Sequence, residues 1–172
     1  MNESTQSILV RHLEPGDIPQ VHALYAEPHA YADTLQLPFQ PVAAWAGKFE
    51  CTRAGTVCLV AVRGEEVVGQ LGLEASQSPR RRHVATFGMG VKSSALGTGV
   101  GSALVQAAID LCENWMAVSR IEIEVYTGNE GAIGLYRKHG FVIEGTCRQY
   151  ALRNGEYVDA HVMARLSGKA VG

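Results

Sequence analysis

The stretch Val91-Lys-Ser-Ser-Ala-Leu-Gly-Thr-Gly-Val-Gly-Ser-Ala-Leu104 sets Gly97, Gly99 and Gly101 at alternate positions between a short apolar strand and an amphipathic helix. Without a Cβ the backbone bends sharply there and turns successive N–H groups toward an anion, and the helix expected from Val100 adds its positive end. A ligand bearing a pyrophosphate is the first implication. A dinucleotide fingerprint would place a third glycine at position 102 and would follow the first strand of a βαβ repeat. Here Ser102 holds that position and more than half of the chain lies upstream, so nicotinamide binding is set aside.

Outward from this loop the periodicity resolves into elements. Val100, Leu104, Ala108, Leu111 and Trp115 recur at helical spacing and predict the apolar face of one long helix. Arg120 to Tyr126 alternates Ile121, Ile123 and Val125 with Glu122 and Glu124, a strand with one wet face. Thr127-Gly-Asn129 reads as a turn, and Glu130 to His139 as a helix closed by Gly140. Two strands, Phe141 to Leu152 and Tyr157 to Leu166, pair across Asn154-Gly155, a strong hairpin signal.

Upstream, Ser7 to Arg11 reads as a strand, with Asp17 as N-cap of a helix from Ile18 to about Ala26. Tyr31 to Phe39 is expected to be an irregular binding loop, followed by a helix from about Val42 to Thr52. Thr56 to Val62 and Val67 to Ser76 form a hairpin, and His83 to Val91 completes an antiparallel meander that ends in the glycine loop. The class is α+β: a mixed, mostly antiparallel sheet of about seven strands with about four helices on both faces.

With 172 residues and 47% hydrophobic composition, residues 1–172 are expected to form a single domain. Fifteen basic against 17 acidic residues leave a net charge of −2, so no general field attracts nucleic acid or an anionic membrane. Arg80-Arg-Arg82 lacks interleaved aromatics and reads as a solvated turn. No apolar run approaches the about 18 residues that span a bilayer, and Met1 to Ser7 has no leader pattern, so a cytoplasmic protein is expected. Cys51, Cys58, Cys112 and Cys147 show no Cys-x-x-Cys spacing and read as buried or free thiols, while the six histidines form no ligand-spaced pair. No metal is expected, and a small molecule is the expected partner.

Two blocks give a specific resemblance. Leu96-Gly-Thr-Gly-Val-Gly101 is similar to the Gln/Arg-x-x-Gly-x-Gly/Ala loop of the GCN5-related N-acetyltransferases, with leucine at its first position. Asn129, Ala132, Tyr136, Gly140 and Phe141 match the Asn-x-x-Ala-x-x-x-Tyr-x-x-x-Gly-Phe block in full. The chain resembles that family over essentially its whole length. Narrower blocks, Tyr31 to Gln36 with Pro38, Pro79 to Ala85 and Tyr150 to Asp159, are similar to bacterial L-amino-acid N-acetyltransferases, with ribosomal-protein-type acetyltransferases nearby.

The resemblance implies a family fold that uses acetyl-CoA to acetylate a small amine, with an L-amino acid as acceptor, by direct attack in a ternary complex. Protein N-terminal acetylation and a non-catalytic acyl-CoA-binding module are the alternatives. It assigns the cofactor to Met89, Gly90, Val91, Leu96, Gly97, Thr98, Gly99, Val100, Gly101, Ser102, Asn129, Ala132 and Tyr136. It places Thr34, Leu35, Gln36, Pro38 and Tyr150 around the acceptor. Tyr136, as a phenol of ordinary pKa about 10, is the expected proton donor to the leaving thiolate. Thr86 stands in the slot where many relatives carry a glutamate base, so Glu74 and His83 become the candidate bases, each acting through a water. The C-terminal hairpin and the sheet edges allow a homodimer.

Overall fold

The computed structural model describes residues 7–49 and 53–168. One seven-stranded sheet runs in the order β1-β2-β3-β4-β5-β7-β6, from β1 (Leu9–His12), β2 (Thr56–Arg63), β3 (Glu66–Ala75) and β4 (Val84–Val91) to β5 (Arg120–Tyr126), β6 (Val142–Arg153) and β7 (Glu156–Leu166). Every pairing is antiparallel except β4 with β5. The expected mixed, mostly antiparallel sheet is what forms, with five α-helices rather than about four: α1 (Ile18–Tyr25), α2 (Pro28–Ala32), α3 (Val42–Lys48), α4 (Val100–Asp110) and α5 (Glu130–Lys138).

The extra helix is α2, which occupies the start of the segment expected to be irregular. Pro28 at its first position has the φ a helix needs and no N–H to lose. Helix α3 ends at Lys48 with Phe49 as its C-cap, short of the expected end near Thr52, a residue outside those described.

The helices bury two cores, one on each sheet face. Val100, Leu104, Val105 and Ala108 of α4 pack with Ile133 and Tyr136 of α5 against Leu71, Leu73, Phe87, Ile121 and Ile123. On the opposite face Val21, Leu24 and Tyr25 of α1 and Trp45 of α3 cover Cys58, Val60 and Val67. Each fully buried side chain of this kind contributes about 1.5–3 kcal/mol of transfer free energy.

The face expected for α4 holds as far as Ala108 and then slips. Leu111–Trp115 is a π-helical turn, whose extra residue per turn rotates the stripe so that Cys112 is buried and Trp115 is 78% exposed. Cys58 is disulfide-bonded, against the expectation of a thiol, whereas Cys112 and Cys147 are free and Cys51 lies outside the described residues. Asn154 and Gly155 both have positive φ, +50° and +81°, the geometry that the tight β6–β7 turn requires. No helix among the described residues is long and apolar enough to cross a membrane.

Asp17 does not cap α1. Its own backbone is helical, and its carboxylate instead takes two hydrogen bonds from the Arg11 guanidinium, at 2.7 and 2.9 Å, and one from Glu14 N–H at 2.8 Å. The Arg11 bonds hold Asp17 below the usual carboxylate range. A depressed folded-state pKa adds stability above the unfolded value of about 3.9, and that stability is lost as the pH falls through the folded value. Asp17→Asn is therefore expected to lower the melting temperature at pH 7, with the gap to wild type closing below about pH 4. Thermal melts of both proteins across pH 3–8 check this, and a gap that persists in acid would show that the ion pair is not its source.

Candidate functional site

The β4–β5 pairing covers only Val84–Arg120, Ala85–Ile121 and Thr86–Glu122. Beyond Thr86 the two strands splay, and the β5-facing edge of β4 has no ladder partner. A cavity of about 990 Å³ occupies the opening, bordered by Phe87 to Val91 on one side and by Glu124, Val125 and Tyr126 on the other. Unpaired backbone donors and acceptors on a strand edge are ready to bond an extended, amide-bearing ligand as an added strand.

At one end lies the glycine loop. Gly97 and Gly99 sit at φ +71° and +90°, where an L side chain is strained, and Gly99 passes directly into α4. A Cβ on Gly101 would come within 2.9 Å of Leu135, so this glycine allows α4 to approach α5. Gly97, Gly99, Gly101, Ser102 and Leu96 line the cavity; Thr98 and Val100 do not. Val100 is 1% exposed in the core, and Thr98 faces backward, where its Oγ1 accepts from the Arg63 guanidinium at 2.6 Å. The loop's open backbone at the start of an eleven-residue helix is the chemistry a pyrophosphate needs.

Asn129 is the N-cap of α5, its Oδ1 accepting from Ala132 N–H at 3.2 Å, and both residues line the cavity. One helical turn after Ala132, Tyr136 is 8% exposed, packed edge-on to Phe87 at 5.9 Å and beside Phe141 at 5.8 Å, and also on the cavity wall. Burial pushes its phenol up to about 12. Burial likewise raises the Tyr25 phenol across the cavity, with Tyr136 as the second cause. Tyr25 O–H donates to Gln70 Oε1 at 2.7 Å, while Gln70 Nε2 is buried with no hydrogen-bond partner among the described residues.

The other end is roofed by the α2–α3 loop. Thr34, Leu35 and Gln36 line the cavity and Pro38 does not. Tyr126 O–H donates to Thr34 O at 3.0 Å, and Arg153 of the C-terminal hairpin pairs with Asp33 at 3.1 Å while stacking over the Tyr126 ring. Tyr150 joins them because β6 breaks register between Cys147 and Ala151, with Gln149 at φ +51°, and this irregularity aims Tyr150 into the cavity.

Neither candidate base lines the cavity. Glu74 pairs with Thr86 in register, but its side chain is 54% exposed and ion-paired to Arg53 at 2.7 Å. His83 lies in a separate recess with Arg81, Arg120 and Glu122, just ahead of β4 and four residues, about 13 Å of extended chain, from Phe87 where the cavity begins. The carboxylate that does line the cavity, apart from the paired Asp33, is Glu124, which makes no ion pair among the described residues. The alternation of β5 put Glu124 on its wet face; what was not legible was that this face is a cavity wall.

The chain matches the Acetyltransferase (GNAT) family over residues 18–141. It is 45% identical to the L-amino acid N-acetyltransferase AaaT of Escherichia coli (strain K12), across 92% of this chain and 98% of that protein. Among solved structures, the ribosomal-protein-alanine N-acetyltransferase from Brucella melitensis superposes with a TM-score of 0.82 at 27% identity, covering 92% of this chain and 99% of that one. The fold is also that of yncA from Salmonella typhimurium, determined with its cofactor acetyl-CoA, at a TM-score of 0.85 and 16% identity over 96% and 97% of the two chains.

The roof loop depends on the Tyr126–Thr34 bond. One partly buried hydrogen bond is worth about 1 kcal/mol, about a fivefold change in a local opening equilibrium. In Tyr126→Phe, amide hydrogen exchange over residues 33–36 is expected to accelerate about fivefold, and unchanged exchange there would show that the loop is held by other contacts.

Proposed function

The chain belongs to the acetyltransferase (GNAT) family, and from that premise we propose that it transfers the acetyl group of acetyl-CoA to the α-amine of a free L-amino acid. The observation that supports the acceptor class is the roof: the 33–36 loop is tied across the cavity to Tyr126 and Arg153, which narrows the acceptor end and favours a small amine over a peptide. The 45% identity to a protein named as an L-amino acid N-acetyltransferase supports the same class.

Acetyl-CoA, when bound, supplies a thioester carbonyl that an amine can attack. Gly97, Gly99 and Gly101 and the start of α4 would hold its phosphates, and the unpaired edge of β4 and Asn129 its amide-bearing arm. The acceptor amine arrives protonated, and Glu124 takes that proton, directly or through one water, leaving a lone pair free to attack. N–H groups on the unpaired edge of β4 are donors for the oxygen that gains charge as carbon becomes tetrahedral.

As the carbon–sulfur bond breaks, Tyr136 gives its phenolic proton to the departing sulfur, and the proton that the acceptor nitrogen sheds on becoming an amide restores the phenol. Burial keeps this phenol protonated across the neutral range, so the proton is present to be given.

Turnover should be followed by thiol release against L-amino acids and alanyl or methionyl peptides. At least one free amino acid is expected to exceed every peptide in kcat/KM; a peptide preferred tenfold would overturn the acceptor class. Tyr136→Phe and Glu124→Gln are each expected to lower kcat by about 10²–10⁴-fold, while calorimetric acetyl-CoA affinity stays within about threefold. Since Tyr136 must stay protonated, it contributes no alkaline loss of kcat until the pH nears about 12. Full kcat in Tyr136→Phe would remove it as proton donor.

A further inference from the structure

The acceptor end of the cavity carries a charge that nothing in the mechanism uses. Lys48, the last residue of α3, lines the wall together with Gln36, Trp45 and Phe49. Its Nζ donates to Gln36 Oε1 at 2.6 Å and to Gln40 Oε1 at 3.0 Å and lies 4.5 Å from the centre of the Trp45 ring. These partners are neutral. No carboxylate of the described residues stands within ion-pair distance of it, whereas Arg53, Arg81, Arg120, Arg153 and Arg165 each have one.

An ammonium has three N–H donors in a tetrahedral array. The two glutamine carbonyls take two and hold the group at one place on the wall, and one donor and the whole positive charge remain for a ligand. The Lys48 side chain is otherwise exposed, and the partial desolvation of its ammonium beside the Trp45 ring lowers the lysine's pKa. The other basic side chains on the lining are differently engaged. His29 Nε2 is bonded to Val91 O, and Lys138 lies on α5 beside the glycine-loop end.

Lys48 shares the roof with the reacting side of the cavity. Gln36, which orients it, belongs to the same short loop as Thr34, whose carbonyl is bonded to Tyr126, two residues from Glu124. The chamber thus presents a carboxylate on its β5 wall and an ammonium on its α3 wall that make no ion pair among the described residues. A zwitterion has the complementary pair of charges: an ammonium that would face Glu124 and a carboxylate that would face Lys48.

We propose that Lys48 binds the α-carboxylate of the acceptor, and that this ion pair makes the site select free amino acids over their amides and over peptides. The inference rests on the amino-acid reading given above and adds the residue that enforces it. Binding of a carboxylate by a positioned cation acts before chemistry, so its loss should appear in KM more than in kcat.

The test compares kcat/KM for the amino acid that turns over best with that for its carboxamide and methyl ester, in wild type, Lys48→Met, Lys48→Gln and Lys48→Arg. Melting temperature and calorimetric acetyl-CoA affinity report that each variant is folded. The wild type is expected to favour the acid over the amide at least tenfold. That ratio should fall to about one in the Met and Gln variants, through a raised KM for the acid, and recover in large part in Lys48→Arg. An equal rate for acid and amide in wild type, or a preference that survives in both neutral variants, overturns the role of Lys48 while leaving amino-acid acetylation intact. Turnover of peptides with none of free amino acids overturns both readings together.

Discussion

The rest of this molecule depends on the loss of pairing between β4 and β5 after Thr86. A parallel pair that ran its full length would have used the backbone of Phe87 to Val91 in a ladder, and the sheet would have closed. Because it stops after three pairs, one sheet contributes both a rigid floor and an edge with free donors and acceptors, at the place where the glycine loop and α5 converge. The opening is maintained from both faces: α4 and α5 pack beneath it through Val100, Leu104, Ile133 and Tyr136, and α1 packs on the other side through Leu24 and Tyr25.

Glycine at a few strand positions sets how closely those helices approach. A Cβ on Gly69 would lie 2.7 Å from Val100 and 2.9 Å from Leu104, and one on Gly90 would lie 2.8 Å from the Tyr25 ring. The two positions are on neighbouring strands but on opposite faces, so α4 and α1 clamp the β3–β4 pair four residues beyond the point where β4 leaves β5. Position and chemistry are thereby coupled. Tyr25 sits against Gly90 and bonds Gln70, Tyr136 sits against Phe87, and both phenols are kept dry by the packing that holds the splay apart.

Much of this was legible in the sequence, and the limits have physical causes. Alternation and turn chemistry located all seven strands, because a strand's side-chain period and an Asn-Gly turn are local properties. Asn129 and Gly140 bounded α5 for the same reason. The slip of the α4 stripe at Leu111 was not legible: a π-helical turn is stabilised by what packs around it, and Cys112 and Trp115 exchange places without any change in local pattern. Asp17 has the composition of an N-cap, but the nearby Arg11 guanidinium outcompetes a single capping bond with two charge-assisted ones. Among the base candidates, Glu74 and His83 were chosen by proximity along the meander. What decides access to the cavity is the splay, and it favours a residue of β5, a strand distant in sequence from the first two.

The departure at Leu96 acquires meaning from the same tertiary view. At the lip of the cavity this residue is a 55% exposed aliphatic side chain, which offers an anion nothing. Behind the loop, however, Arg63 at the end of β2 bonds Thr98 Oγ1, and Thr98 Oγ1 in turn donates to Ala95 O at 2.6 Å. The loop is thus ordered from its rear by a cation on a rigid hairpin, with the backbone N–H groups of Gly97 to Gly101 left clear on the front. Fixed backbone dipoles at the start of α4 act at full strength only if the loop does not have to be ordered when the anion arrives. A side chain that braces the loop from behind would therefore support the proposed anion binding without touching the anion, with no need for a polar side chain at the motif's first position.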